Sequence, residues 1–299
     1  EKPMSKKKML FIVNPLSGKG KVKERLLGIL DIFIKNGYEV TVHVTQKRGD
    51  ALNKARERDD SYDRIVCSGG DGTLDEVVTG VVQSDRRIEI GYIPAGSTND
   101  FANSLCLPKS MKRSAEVAVK GKVFPCDIGV FNNSVFVYVA AFGMFTEVSY
   151  ATDQSLKNAL GHMAYVLKGV QSLTSVKAYD MHFECDDQII EGKFIYGMIT
   201  NSVSVGGFKK LTGKNVELND GKLEVTLVRQ PENLQDMNRI VTALVERNPN
   251  NEFIYWFKTS HITIIAKEEI AWTLDGEFGG NHKEVKIEDR REAISMIVP

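Results

Sequence analysis

The amino-acid sequence predicts an α/β domain followed by a β domain. Three observations carry this. Through residue 125, short apolar runs alternate with segments of helical period, the pattern of a parallel sheet covered by helices. Beyond Pro125 strand-like runs dominate. A chain of 299 residues is long for one core and suits two. The expected division is an N-terminal parallel-sheet domain over residues 1–125, to which a strand at 290–299 can return, and a C-terminal β-sandwich over residues 126–289.

Residues 9–13 are an apolar run ending at Asn14-Pro15 and read as a buried strand. Residues 19–36 place Val22, Leu26, Ile29, Leu30 and Phe33 at helical spacing, and Gly37 suits the C-terminal cap. Residues 38–45 alternate Val40, Val42 and Val44 with Thr41, His43 and Thr45, a strand period. A polar helix follows over 51–58. Residues 64–68 and 88–94 read as strands around a helix at 74–83. In the second half, strands are expected at 128–131, 135–142, 177–184, 189–200, 222–229, 253–258, 261–266, 270–274 and 293–298. Asn132-Asn133 and Asp186-Asp187 mark turns. Helices are expected near 156–174 and 233–247.

Composition narrows the function. The 39 basic and 39 acidic residues cancel, whereas a nucleic-acid binder usually carries a basic excess, so no nucleic-acid partner is expected. Cys67, Cys106, Cys126 and Cys185 are scattered without a CxxC pair, which argues against zinc or a disulfide framework and for free thiols in a reducing cytoplasm. The five histidines show no metal spacing. Residues 1–8 are polar and basic, unlike a secretory leader. The most apolar segment, 135–145, falls short of the roughly 20 residues that cross a bilayer as a helix.

Gly69-Gly70-Asp71-Gly72-Thr73 follows a strand and precedes a helix. Glycines there let backbone amides approach a bound anion, and a helix start adds a favourable dipole for phosphate. Asp71 would repel that phosphate unless a cation lay between them, which points to magnesium. The bland alternative is a plain strand-to-helix turn. Asn14-Pro15-Leu16-Ser17-Gly18-Lys19-Gly20 is neither a Walker loop nor a dinucleotide fingerprint, yet its small residues, hydroxyl and lysine suit a phosphate. Pro94-Ala95-Gly96-Ser97-Thr98-Asn99-Asp100-Phe101 ends the fourth strand in the same way. All three loops fall at C-terminal strand ends, where open α/β sheets bind ligands.

Together these loops resemble the diacylglycerol kinase catalytic family, most closely its soluble bacterial lipid-kinase branch, with relatives among sphingosine and ceramide kinases. Later segments agree: Cys126-Asp127-Ile128-Gly129, Asn219-Asp220-Gly221-Lys222-Leu223 and Asp275-Gly276-Glu277. The resemblance implies an ATP-dependent kinase that phosphorylates the hydroxyl of diacylglycerol or a related lipid in phospholipid metabolism. It implies nucleotide contacts from Asn14, Ser17, Gly18, Thr45, Gly69, Gly70, Asp71, Gly72, Thr73, Leu74, Asp75 and Ser97. Ser97 stands where the family usually has threonine, and Asp75 where it often has asparagine. The resemblance further implies magnesium and phosphates facing Asp71 and Asp100, with Asp127 joining through hydrogen bonds or water, and Glu277 as general base. A second, structural magnesium would take the Asp220 side chain and the carbonyls of Glu217 and Lys222; by residue pattern alone that segment is a turn before a strand. The lipid is expected to enter a cleft between the domains.

Such an enzyme would be cytoplasmic and would meet its substrate at the inner membrane face, as a peripheral protein and in a branch compatible with homodimers. Leu156, Leu160, Met163, Leu167 and Val170 form one apolar helical face among Lys157, Lys168 and Lys177. Packing on the β domain is the preferred reading of that face, and contact with a membrane surface the alternative. Lys209, Lys210 and Lys214 are a basic stretch able to attract anionic headgroups. A kinase for NAD or a sugar phosphate is the nearest rival, since both use a Gly-Gly-Asp-Gly-Thr loop. A lipid-binding regulator without turnover is the other.

Overall fold

The computed structural model describes residues 7–144, 176–205, 208–209, 216–246 and 251–299. The chain forms two compact units, Glu1–Cys126 with Glu292–Pro299, and Asp127–Arg291. The helix expected near 156–174, with Lys157 and Lys168, and the lysines 210 and 214 lie outside the described residues.

In the first unit, β1 (Lys7–Val13) pairs in parallel with β2 (Tyr38–Val44) on one side and β3 (Arg64–Gly69) on the other. β4 (Glu89–Pro94) pairs in parallel with β3, and Ser295 and Met296, near the end of β15 (Glu277–Val298), extend the sheet beyond β4. β3 is buried at every residue, which suits its apolar centre Ile65-Val66-Cys67. The helices are α1 (Lys21–Lys35), α2 (Asp50–Arg56), α3 (Asp71–Gln83), α4 (Asp100–Ser104) and α5 (Met111–Lys120). Val22, Ile29 and Phe33 of α1 pack on Met9, Phe11 and Val13, with the Phe11 and Phe33 rings edge to face at 5.2 Å.

Two helix starts differ from expectation. α1 begins at Lys21, because Ser17–Gly20 makes a tight 3-10 turn and Gly20, at φ +77°, caps the helix. α3 begins at Asp71 rather than residue 74, because extended Gly70 is its cap. The glycine motif is therefore a cap and a first helical turn, not a loop ahead of one. The unexpected α5 faces inward with Ser114, Ala115 and Ala118, and Met111 and Val119 pack beside them.

The second unit is antiparallel. After β5 (Lys122–Phe131) come β6 (Ser134–Phe136), β7 (Val139–Gly143), β8 (Tyr179–Cys185), β9 (Ile189–Thr200), β10 (Ser204–Val205), β11 (Phe208–Lys209), β12 (Leu223–Arg229), α6 (Leu234–Glu246), β13 (Ile254–Thr259), β14 (His261–Leu274) and most of β15. The long strands β9 and β14 each pair with β8 along one stretch and with β7 along another. Trp272 fills the core, with its ring 5.1 Å from Phe131 and 4.9 Å from Phe142.

The strands expected at 261–266 and 270–274 are one strand, β14, irregular against β15 between Ile265 and Ile270. The run expected at 135–142 is two strands, because the amides of Val137 and Tyr138 bond to the Asp275 side chain. β15 begins sixteen residues before the expected 293, at Glu277, its charged residues alternating with buried Val285 and Ile287.

Candidate functional site

The three loops following β1, β3 and β4 are knit together by backbone. Asn14 N donates to Ser68 O at 2.9 Å, Ala95 N to Gly69 O at 2.7 Å, and Thr45 N to Val13 O at 2.9 Å. A Cβ on Gly18 would lie 1.9 Å from Ala95 O, one on Gly96 would lie 2.7 Å from Gly70 Cα, and one on Gly69 would lie 2.3 Å from Thr73 Oγ1. Glycine is thus demanded at Gly18 and Gly96 by contact between loops, at Gly69 by the Thr73 side chain, and at Gly18 also by φ +60°.

Side chains complete the junction. Asn14 Nδ2 donates to Thr73 Oγ1 at 3.1 Å, while its Oδ1 accepts from Leu16 N at 3.0 Å. Ser17 Oγ accepts from Gly70 N at 3.2 Å. Asn99, at φ +52°, closes its own loop through two 2.8 Å bonds with Gly96. Buried Tyr92 reaches Gly69 O with its hydroxyl at 3.2 Å.

Asp71 is the focus. Its carboxylate accepts from Thr98 Oγ1 at 3.1 Å, from Phe101 N at 3.4 Å and from the Asp100 amide. Burial, and then the charge of Asp100, push its carboxyl up to about 6. Asp100 itself is 2% exposed. Two carboxylates held together out of water repel each other, and a divalent cation would remove that cost. Two protein oxygens with waters and phosphate oxygens suit magnesium, which binds few protein ligands and keeps water.

The expected nucleotide residues divide. Asn14, Ser17, Gly18, Gly69, Gly70, Asp71 and Thr73 meet in this junction, Gly72 and Ser97 are exposed at it, and half-buried Thr45 follows β2. The Leu74 side chain is 1% exposed and belongs to the core, leaving only its backbone for a ligand. Asp75 lies half-buried on the same turn of α3. Thr98, inside the third loop, had no assigned role in the sequence reading; a hydroxyl after glycine and serine was its only signal.

The second unit holds the other expected residues. Glu277 is exposed, next to the Asp275-Gly276 turn that joins β14 to β15. Asp127 is fully buried, and its Oδ2 accepts from Gly221 N at 2.8 Å. Asp220 Oδ2 lies 2.6 Å from Lys258 Nζ, its Oδ1 accepts from Lys222 N at 3.1 Å, and Glu217 is exposed. Burial pushes Glu224 up to about 8 against the pull of Lys258, and burial with the Asp127 and Asp220 charges pushes Asp289 up to about 7. This excess of buried acid is chemically suited to a further cation, although Lys258 already holds Asp220. Among the described residues, no three His, Cys, Asp or Glu side chains are grouped to hold a metal on their own.

Comparison with known proteins bears on both units. The diacylglycerol kinase catalytic domain matches residues 8–131, and the YegS C-terminal NAD kinase beta sandwich-like domain matches residues 138–297. The diacylglycerol kinase of Bacillus subtilis (strain 168) is 36% identical over 277 residues, covering 92% of this chain and 91% of that protein. The chain belongs to the diacylglycerol kinase family. A second family member, the diacylglycerol kinase of Staphylococcus epidermidis (strain ATCC 12228 / FDA PCI 1200), is 36% identical over 92% of this chain and 87% of its own length. A crystal structure from Bacillus anthracis str. Sterne, assigned to the diacylglycerol kinases, aligns with TM-score 0.85 at 26% identity over 99% of this chain and 97% of that one. Another from the same organism shares the fold at TM-score 0.78 and 23% identity, over 99% of this chain and 98% of that one. The family is carried by both units, with the β-sandwich-like domain second.

Proposed function

We propose that this chain transfers the γ-phosphoryl group of ATP to the hydroxyl of diacylglycerol or a related lipid. The observation that carries the reading is the convergence of three glycine-bearing loops on Asp71 and Asp100 in a member of this family. The phosphates would lie along the amides of Gly69 through Thr73 at the start of α3, with Asn14, Ser17, Gly18, Thr45 and Ser97 around them. Leu74 would contribute backbone only, and Asp75 a charge at the rim.

Magnesium, when bound, supplies neutralisation of the phosphate charge, and Asp71 and Asp100 are the residues to hold it. Glu277 would accept the proton of the lipid hydroxyl as bonding to phosphorus develops. Asp127, enclosed and bonded to Gly221, would act on this chemistry through its neighbours rather than by touching it. A second cation at Glu217, Asp220 and Lys222 would have to displace Lys258 from Asp220.

No helix among the described residues is long and apolar enough to cross a membrane. Meeting the lipid at the cytoplasmic membrane surface, as a peripheral protein, is part of the proposal.

The test is transfer from radiolabelled ATP to diacylglycerol in detergent micelles, run beside NAD because the second domain resembles that of NAD kinases. Label in phosphatidic acid with magnesium present is expected. Label on NAD alone would overturn the lipid reading. Lipid binding without transfer, by wild type and E277Q alike, would make the chain a non-catalytic binder.

A further inference from the structure

We infer that Asp275 and Asn201 are positioning residues that frame Glu277 and Asp127 within the second unit, a step that rests on Glu277 being the base. Leu274 pairs with Glu277 across a two-residue turn, with Asp275 at φ +50° and Gly276 at φ +86°. That is the primed hairpin turn, in which asparagine serves at the first position at least as well as aspartate. The turn therefore does not explain a carboxylate.

Its contacts do. Asp275 is 7% exposed, and its two oxygens accept three consecutive amides: Val137 N at 2.6 Å, Tyr138 N at 3.0 Å and Val139 N at 2.9 Å. Asp275 N also donates to Val139 O at 2.8 Å, and the Tyr138 hydroxyl to Asp275 O at 3.1 Å. Charge-assisted bonds to three amides hold a turn far more firmly than turn geometry alone. Glu277 is two residues away and exposed, so the fixed point is next to the group that needs fixing.

The same segment is held from its other side. Asn201 is fully buried; its backbone N donates to Tyr138 O at 3.1 Å and its Nδ2 to Asp127 O at 2.7 Å. Asp127 in turn bonds to Leu218 O through its N at 2.7 Å and to Gly221 N through its carboxylate at 2.8 Å. Tyr138 thus gives its amide to Asp275 and its carbonyl to Asn201. One backbone residue joins the Glu277 turn to Asp127 and the 218–221 turn. Neither Asp275 nor Asn201 needs to touch a substrate to matter, because a base displaced by about 1 Å loses on the order of a hundredfold in rate.

The experiment compares D275N in wild-type and E277Q backgrounds, with diacylglycerol and ATP. Asparagine keeps the turn but replaces one acceptor oxygen with a donor aimed at an amide. The expected result is a kcat lower by roughly 10- to 100-fold with KM for ATP within about twofold. In E277Q, D275N should cause no further loss, since its effect runs through the base. Faster amide hydrogen exchange at residues 137–139 should accompany it. A wild-type kcat in D275N, or an equal loss in both backgrounds, overturns the inference. If D275N does not fold, N201A carries the test: a several-fold lower kcat at unchanged KM supports the frame, and an unchanged kcat refutes it. A wild-type chain unable to phosphorylate any lipid sinks the functional reading itself, and the inference with it; an active wild type with an indifferent D275N sinks the inference alone.

Discussion

The loop junction of the first unit and the Asp275 turn of the second are held by opposite means. In the first, each loop joins a strand to the helix that follows, and the loops meet because their strands are neighbours in the sheet. Backbone packs on backbone so tightly that Gly18 and Gly96 leave no room for a methyl group, and Gly69 is closed off by the Thr73 side chain. In the second, the partners stand 136 to 138 residues apart for Asp275 and 74 apart for Asn201 with Asp127, and side-chain oxygens and nitrogens span the distance. A site held by close backbone approach is broken by adding atoms. One held by side-chain bonds is broken by changing an acceptor.

The sharpest break is chemical. E277Q keeps the size of the side chain and removes its basicity, so transfer to lipid should fall by about 10²- to 10⁴-fold. ATP affinity, measured by calorimetry, should stay at the wild-type value, because the nucleotide is assigned to the other unit. A parallel loss of ATP binding would show that the two regions are not separable.

Adding atoms tests the junction. Alanine at Gly18 must adopt φ +60° and meet Ala95 O. Such strain costs about 1–3 kcal/mol, so ATP binding should weaken about tenfold or more and the melting temperature should drop. Gly72 is the internal control, since a Cβ there meets nothing within 4 Å. G72A should raise the melting temperature slightly, by less than about 1 kcal/mol of stability, because alanine suits a helix, and any effect on ATP there reports contact with the phosphates rather than loop packing. Equal loss of stability from both substitutions would mean that the glycines serve loop flexibility rather than close packing.

The same contrast explains what the sequence disclosed. The loops of the first unit are contiguous motifs at strand ends, so Asn14, Ser17, Gly18, Gly69, Asp71 and Asp100 were readable in place. The start of α3 at Asp71 was not, because an extended glycine cap looks the same in sequence as a loop glycine. Leu74 read as part of the motif, although helical geometry turns it into the core. In the second unit Asp275 and Glu277 were visible as a turn, but the use of the Asp275 carboxylate was not. Nothing near residue 137 announces that its amide bonds to a side chain 138 residues away. Asn201 carried no signal, for a buried asparagine after a strand is also a common turn residue. The early start of β15 was hidden by its charges, although Val285 and Ile287 keep the period of a strand.

A smaller effect is expected where one bond of several is lost. T98V removes the hydroxyl donor from Asp71 while leaving the Asp100 and Phe101 amides in place. One hydrogen bond is worth about 1 kcal/mol net where the acceptor keeps its other donors, which lowers kcat/KM about fivefold. An unchanged kcat/KM would remove Thr98 from the junction's working parts.

The finest test asks whether the two regions open independently. Cys67 lies in β3, two residues before Gly69, and Cys185 ends β8; both are buried, whereas Cys106 is exposed. Burial pushes the Cys185 thiol up to about 12 and raises Cys67 as well. At pH 8 a thiol with that value is thiolate in only roughly one molecule in ten thousand, so reaction requires opening of the surrounding sheet. A thiol reagent should therefore modify Cys106 at once and the buried Cys67, Cys126 and Cys185 slowly. ATP with magnesium, at three times its dissociation constant, multiplies the closed-to-open ratio of the unit that binds it by about four. Cys67 labelling should slow about fourfold while Cys185 labelling keeps its rate. Equal slowing at both cysteines would mean that the units open as one body. Slowing at Cys185 alone would move the nucleotide off the loops of the first unit, since only the sheet that carries the ligand is held closed by it.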